Sequence, residues 1–439
     1  MKTQEFIEQK VKSQGFRMSV KLITIAIIVL FLLIPKFMIM ELIRERKMTA
    51  DTAQLEVANS WSNQQIVRGP MLTIPYTEQV LDKDGKTVQE IVREYHLLPK
   101  TLRVEGELFP KKLNRSIYQS IVYESSLQLS GAFEKPDLSG LGIKPENIEW
   151  EKAKLEIAIS DLRGISSVVE LKWNTETIPF SPGMQNRILG SNGISLQLHD
   201  LSIQSMPANF QIDLKLKGSN SIAFAPVGET TDVHLQSAWN DPGFQGQFLP
   251  IDRNINKDGF TADWKVLNYN RDFPQSWIDN AYDIKSSDFG VSLINMADHY
   301  QKNERSAKYA IMIVLLIFLS FFLNEMLTKR RVHPFQYILV GFSILIFYLL
   351  LLSFSEHVGF NPAYLIASMS VILLVLIYSR SFLKTWGNSL ALTAILSISF
   401  LFIFILLQLE SFALLVGSVG LFVMLAMTMY FTRKINWYE

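Results

Sequence analysis

Six long apolar runs stand out along the chain. Each is apolar over roughly 20 residues, the length a helix needs to cross a bilayer core of about 30 Å. The runs lie at 22–40, 309–328, 335–354, 363–379, 389–409 and 411–431. Short gaps separate the last five runs, which favours an antiparallel bundle. We therefore predict six transmembrane helices: an N-terminal anchor at 22–40 and a five-helix C-terminal bundle within 309–439.

Between the first two runs, apolar and polar residues alternate, which is typical of strands with one buried face. The clearest segments lie at 102–108, 127–133, 155–160, 210–218 and 233–239. Turn-forming pairs such as Asp84-Gly85 separate the segments. We predict a large β-rich domain at 41–308, with a short helix at 44–63 that continues the first run and another at 297–308.

The distribution of charge supports this division. Residues 309–439 contain seven Lys or Arg and four Asp or Glu, whereas residues 41–308 contain 29 and 35. The first composition is incompatible with a soluble surface, and the second is typical of a globular domain. A purely soluble enzyme is therefore excluded. A nucleic-acid binder is excluded as well, because no clustered basic face could meet phosphates.

Lys and Arg residues in the short loops predict the orientation of the helices. The tails and short loops on one predicted side of the membrane contain twelve Lys or Arg residues, whereas the short loops of the bundle on the other side contain none. The twelve residues are Lys2, Lys10, Lys12, Arg17, Lys21, Lys329, Arg330, Arg331, Arg380, Lys384, Arg433 and Lys434. We predict that both termini, including a tail at 1–21, are cytoplasmic and that the domain at 41–308 lies outside. Basic residues just after the first run oppose this assignment, but Glu41 and Glu45 interleave with them.

Known catalytic and metal-binding motifs are missing from the sequence. The chain has no cysteine, which rules out disulfides, thiol nucleophiles and thiolate metal sites. It has neither a G-x-S-x-G elbow nor an H-E-x-x-H helix, and its histidines are not paired at metal-ligand spacing. We predict no catalytic residue, no metal and no cofactor, and we interpret the histidines as structural.

Three candidate functional residues follow one another at the predicted outer mouth of the bundle: Ser355, Glu356 and His357. Polar and ionisable residues at membrane depth are candidates for function, and a serine–histidine pair suggests a nucleophile and its base. Neighbouring residues on a helix do not face each other, however. A docking or hinge role against the β-rich domain is therefore the favoured interpretation.

Three further candidates lie at the predicted inner face of the bundle: Glu325, His333 and Gln336. Glu325 precedes Lys329 by four residues, so an ion pair along one helix would explain it structurally. His333 and Gln336 flank Pro334, a residue that suits the first turn of a helix, so a helix start would explain them. The alternative for all three is a functional role in the bundle.

Several segments of the sequence resemble one known family. They are EMLTKRRVHPFQYILVGFSILIFYLLLLSFSEHVGF at 325–360, IVRGPMLTIPY at 66–76, SDLRGI at 160–165 and LQSAWNDPGFQGQFLP at 235–250. The chain resembles the CreD family of inner-membrane envelope-integrity proteins over nearly its whole length. The resemblance implies one N-terminal span, a large periplasmic domain and a C-terminal bundle. The content of the loops at 134–150 and 176–192 departs from the family.

The resemblance implies a Gram-negative inner membrane, the Cre two-component regulon, colicin tolerance and envelope behaviour under β-lactam stress. It supplies no reaction and no catalytic residue. The leading hypothesis is a non-enzymatic envelope-integrity and stress protein, surrounded by membrane lipids, whose periplasmic domain binds an envelope component or a protein partner. One alternative is a carrier of a lipid or lipid-linked precursor, which needs an apolar groove in the domain at 41–308. Another is an enzyme that uses Ser355, Glu356 and His357.

Overall fold

The computed structural model describes residues 14–81, 87–138, 141–199, 201–202, 204–293, 299–328, 332–409 and 412–433. The chain divides into two compact units. The β unit is Asp51–Met296, and the helical unit combines Met1–Ala50 with Ala297–Glu439. The β unit is shorter at both ends than the domain predicted at 41–308, because residues 41–50 and 297–308 group with the helical unit.

The helices are α1 (Gln14–Trp61), α2 (His299–Lys308), α3 (Ala310–Thr328), α4 (Pro334–Val358), α5 (Phe360–Leu383), α6 (Trp386–Gln408) and α7 (Ala413–Thr432). α1 and α2 confirm the helices predicted at 44–63 and 297–308. Among the described residues, five helical segments are long and apolar enough to cross a membrane: Met18–Trp61, His299–Met326, Pro334–Val358, Phe360–Leu383 and Trp386–Gln408. The prediction of six is therefore off by one. The described apolar part of α7, Leu415–Tyr430, is shorter than the roughly 20 residues that a span requires.

Close helix packing in the helical unit depends on small residues. Leu32 of α1 is fully buried, and a Cβ added at Gly341 of α4 would lie 2.3 Å from its Cδ1 atom. The neighbouring rings of Phe31 and Phe342 meet edge to face at 6.2 Å. α4 and α5 are joined through Gly359, whose φ of 79° is a backbone conformation that favours glycine. α1 therefore packs against α4, the first helix of a helical hairpin.

The β unit confirms the predicted β-rich domain, with seventeen strands in its described part. They are β1 (Gln65–Leu81), β2 (Thr87–Leu97), β3 (Thr101–Arg115), β4 (Tyr118–Phe133), β5 (Lys154–Ile159), β6 (Glu170–Trp173), β7 (Glu176–Pro179), β8 (Ser181–Pro182), β9 (Gly193–Gln197), β10 (Ala208–Ser219), β11 (Ser221–Phe224), β12 (Thr230–Ser237), β13 (Gly243–Gly246), β14 (Asp252–Asn256), β15 (Gly259–Leu267), β16 (Ser276–Ile278) and β17 (Phe289–Ser292). The predicted turn at Asp84-Gly85 lies outside the described residues.

These strands form two sheets. The eight-stranded sheet has the order β14-β15-β12-β3-β4-β10-β6-β7. The nine-stranded sheet has the order β13-β17-β11-β1-β5-β9-β8, with β2 paired to β1 and β16 paired to β2. Most neighbouring strands are antiparallel, whereas β3 with β12 and β1 with β11 are parallel.

One hydrophobic core lies between the two sheets. In β3, Leu102, Val104, Gly106 and Leu108 are buried while the odd-numbered residues between them face outward, as the alternating pattern predicts. Trp264 of the eight-stranded sheet meets Phe289 of the nine-stranded sheet with ring centroids 5.9 Å apart. The sheets therefore pack face to face and bury their apolar faces against each other.

Candidate functional site

The bundle-mouth candidates occupy the last turn of α4, where Ser355 and Glu356 contact α2. Ser355 is 2% exposed, and its hydroxyl donates to the Leu352 carbonyl at 2.9 Å. The Asn303 side-chain amide of α2 donates to the same hydroxyl oxygen at 2.8 Å. The serine proton is therefore given to a backbone carbonyl, and the hydroxyl serves to join α2 to α4.

Glu356 and His357 point away from Ser355. The Tyr300 hydroxyl of α2 donates to Oε1 of Glu356 at 3.1 Å, whereas His357 is exposed. The structure does not bring these three side chains together, because successive helical residues turn by about 100° around the axis. A nucleophile–base pair is thus unsupported, and the docking role stays a prediction.

Glu325 forms an ion pair that the sequence analysis did not predict. Its Oε2 atom lies 3.0 Å from Nζ of Lys21 in α1, while Lys329 lies outside the described residues. The Lys21 ammonium also donates to the Val332 carbonyl and lies 5.1 Å from the centre of the Tyr337 ring. The pair therefore joins α1 to α3 and α4. Local spacing could not indicate it, because the two residues lie far apart in the chain.

His333 and Gln336 cap the N-terminus of α4. Nδ1 of His333 accepts a hydrogen bond from the Phe335 amide at 3.2 Å. The His333 amide in turn donates to Oε1 of Gln336 at 2.9 Å. This reciprocal arrangement satisfies amides that have no partner inside the helix. The structural interpretation of both residues as a helix start is confirmed.

Sequence reasoning missed a buried polar cluster in the β unit. It consists of Thr73 of β1, His96 of β2, Glu156 of β5 and Asn186 of the loop between β8 and β9, each at most 5% exposed. Four distant segments contribute its members, so no spacing rule finds it. The available signal was a polar residue inside an apolar strand, as Thr73 is in MLTIPY and Glu156 in LEIAI.

The hydrogen bonds of the cluster are those of a neutral His96. The Thr73 hydroxyl donates to Oε2 of Glu156 at 3.0 Å, so its oxygen is left to accept from Nδ1 of His96 at 3.3 Å. The Asn186 side-chain amide lies 3.2 Å from Nε2 of His96 and can donate to it. A neutral histidine protonated on Nδ1 satisfies every one of these contacts.

Burial shifts the pKa values of the two titratable groups of the cluster, His96 and Glu156, in opposite directions. It lowers the pKa of His96 to about 4, because the charged imidazolium would lose its hydration. It also raises the pKa of Glu156, although bonds from Thr73 and from the Gln185 and Asn186 amides oppose this shift. The cluster is enclosed by protein, so its geometry favours a stabilising role.

The His96 shift predicts a loss of stability in acid. The folded state binds a proton less readily than the unfolded chain, so stability is retained above pH 6.5 and falls as the pH drops towards 4. The raised pKa of Glu156 acts in the opposite direction and offsets part of this loss. His96→Gln should flatten this pH dependence of the unfolding temperature, whereas His199→Gln, at an exposed histidine, should not. Identical pH profiles for His96→Gln and the parent would contradict the prediction.

The SDLRGI segment binds the chain at and just after the end of α1, within the β unit. The Asp161 carboxylate accepts from the Asn63 amide at 2.9 Å and binds the Arg163 guanidinium. The hydrogen bond and charge of Arg163 hold the pKa of Asp161 well below its usual range. A Cβ at Gly164 would lie 2.3 Å from the Lys217 carbonyl oxygen, so this position requires glycine. These motif residues therefore have a structural explanation.

Large side chains fill the space between the sheets. Four large side chains there are each at most 2% exposed: Trp264, Tyr123, Phe133 and Phe289. A cleft of about 280 Å³ opens on the eight-stranded sheet and is lined mainly by polar residues. In the part of the chain that the structure describes, no group of three His, Asp or Glu side chains could hold a metal. The described β unit thus offers a packed core and a polar cleft.

Comparisons with known proteins agree with this architecture. The family model described as "Inner membrane protein CreD" matches residues 17–438. "Inner membrane protein CreD" of Escherichia coli strain K12 is 34% identical over 415 residues, which cover 93% of this chain and 91% of that protein. Both matches span the apolar helices and the β unit between them. The chain therefore belongs to the CreD family of inner membrane proteins.

Proposed function

We propose that this chain is a non-enzymatic envelope-integrity protein whose β unit faces the periplasm and binds an envelope component or a protein partner. One observation carries the proposal. A unit of two large sheets, Asp51–Met296, is inserted in the sequence between one apolar helix and the apolar helices that follow. Such an insertion places a folded binding surface beside the membrane without requiring chemistry.

The basic residues support this orientation. Lys21 lies near the start of α1, Arg380 and Lys384 at the connection between α5 and α6, and Arg433 after α7. Under the positive-inside rule these positions are cytoplasmic, as both termini then are. The stretch between α1 and α2 is consequently periplasmic.

The side-chain geometry supports a non-enzymatic role. Ser355 gives its proton to a carbonyl, and the buried polar cluster is enclosed by protein. We further propose that Glu356 and His357 take part in docking, since they are the members of the mouth group that reach the surface. The filled interior of the β unit gives no support to a carrier of lipids or lipid-linked precursors.

Complementation of envelope phenotypes tests the proposal. In cells lacking the gene, colicin and β-lactam sensitivity would be measured after expression of full-length variants at matched levels. Ser355→Ala should complement, because it removes the candidate nucleophile and leaves Glu356 and His357 in place for docking. A chain lacking residues 62–293 should fail although it reaches the membrane. Loss of complementation by Ser355→Ala at an unchanged protein level would indicate an enzyme, and complementation without the β unit would refute the proposal.

A further inference from the structure

One edge of the eight-stranded sheet is open. β14 hydrogen-bonds to β15 on one side and has no strand on the other among the described residues. All five residues of β14 are exposed. An edge strand of this kind presents backbone amides and carbonyls that can pair with an additional strand.

Exposed apolar side chains lie on this edge and in the segment that leads into it. Ile255 of β14 is 46% exposed, and Leu249 and Ile251, just before the strand, are 66% and 68% exposed. Arg253 shares the face of Ile255, and its guanidinium lies 5.8 Å from the ring of Phe244, a residue packed against the core. This face of β14 therefore continues the apolar interior of the two-sheet unit to its rim. A run of exposed apolar side chains at a sheet edge is typical of an interaction site.

The opposite face of β14 is polar and borders an acidic cleft. Asn254 and Asn256 line the cleft of about 280 Å³, together with Glu107 and Asp258. Two carboxylates and no basic side chain are among its ten lining residues. Gln236 and Thr261 form its floor on β12 and β15. The cleft is therefore complementary to a positively charged side chain.

We propose that β14 is the docking edge for an extended segment of a partner protein in which apolar and basic side chains alternate. Side chains of a strand point alternately to the two faces of a sheet. A segment paired with β14 would place its apolar residues on the face of Ile255, with the exposed Ile251 just before the strand, and its basic residues towards Glu107 and Asp258. Backbone pairing supplies binding strength, and the cleft supplies the preference for basic residues. The proposal rests on the proposed function, because it specifies how the β unit binds a partner.

Binding of defined peptides to the full-length chain in detergent tests the proposal. The probes are a fluorescent peptide of alternating Val and Lys, the same peptide with Glu in place of Lys, and a Val–Lys peptide with proline at alternate positions. Fluorescence anisotropy should show binding of the first peptide alone. Equal binding of the acidic or the proline peptide would overturn the proposal, since neither the charge nor the backbone pairing would then matter.

Matched variants locate the binding edge. Glu107→Gln with Asp258→Asn should weaken binding of the Val–Lys peptide about tenfold, and Ile251→Ser with Ile255→Ser should do the same. Glu170→Gln with Glu176→Gln removes the same charge at the opposite edge of this sheet and should leave binding unchanged. Equal weakening by both pairs of acidic variants would overturn the proposal. A dimer of the parent chain that Ile251→Ser with Ile255→Ser abolishes, without peptide binding, would also overturn it and identify a second copy as the occupant.

Complementation separates this proposal from the broader one. If the edge variants complement while removal of the β unit does not, the β unit binds its partner elsewhere and only the docking edge is refuted. If removal of the β unit also leaves complementation intact, the proposed function itself fails. Loss of complementation in the Ile251→Ser with Ile255→Ser variant, but not in the Glu170→Gln with Glu176→Gln control, supports both.

Discussion

Trp264→Ala should destabilise the β unit by about 3 to 5 kcal/mol, the range found for aromatic residues truncated in a core. The indole is 2% exposed and contacts Phe244 and Phe289 of the other sheet at centroid distances of 5.7 and 5.9 Å. Its Nε1–H donates to the Phe248 carbonyl at 3.2 Å. Truncation leaves a cavity between the sheets and a carbonyl without its donor. The loss can be measured as a lower unfolding temperature of the strand signal in circular dichroism of the full chain.

Tyr269→Ala is the matched control for this truncation. Tyr269 is an aromatic residue of the same unit and is 89% exposed. Its removal should change stability by less than about 0.5 kcal/mol. A comparable loss in both variants would contradict the packing of the two sheets around Trp264.

Lys21→Met should destabilise the helical unit by about 3 to 5 kcal/mol, because it leaves the Glu325 carboxylate largely buried and without its cation. The two side chains are only 19% and 15% exposed, and their charged atoms are 3.0 Å apart. Lys21→Met combined with Glu325→Met should recover most of the loss, since two apolar residues need no pairing. The unfolding temperature of the helix signal in detergent gives the comparison.

Lys36→Met is the control for the ion pair. Lys36 lies in the same helix, and its ammonium is 4.9 Å from the centre of the Phe37 ring. Replacing it should cost much less than replacing Lys21. If the double methionine variant were as unstable as the sum of the single variants, the coupling between Lys21 and Glu325 would be absent.

Local patterns in the sequence predicted the elements of the fold. The alternating segments at 102–108 and 210–218 lie in β3 and β10, because a strand with one buried face has apolar residues at every second position. The pairing of strands could not be predicted in this way. β12 lies beside β3 and β11 beside β1, and each pairing joins segments that are distant in the chain.

The candidate sites show the same division between local and distant contacts. The start of α4 at His333, Pro334 and Gln336 follows from adjacent residues and was predicted correctly. The ion pair of Glu325 with Lys21 and the buried polar cluster were missed, because both depend on which elements meet in space. The sequence around His96 did not indicate its burial, because the groups that bury it are Trp277, Thr73 and a loop that is remote in sequence.

Orientation in the membrane is the central claim, and the absence of cysteine makes it directly measurable. Tyr269→Cys places a thiol at a fully accessible position of the β unit. Gly387→Cys places one beside the basic connection between α5 and α6, where an added Cβ meets no atom within 4 Å. A membrane-impermeant maleimide applied from the periplasm should label Tyr269→Cys and should reach Gly387→Cys only after the membrane is opened. Labelling of Gly387→Cys in intact membranes, or protection of Tyr269→Cys, would contradict the periplasmic placement of the β unit.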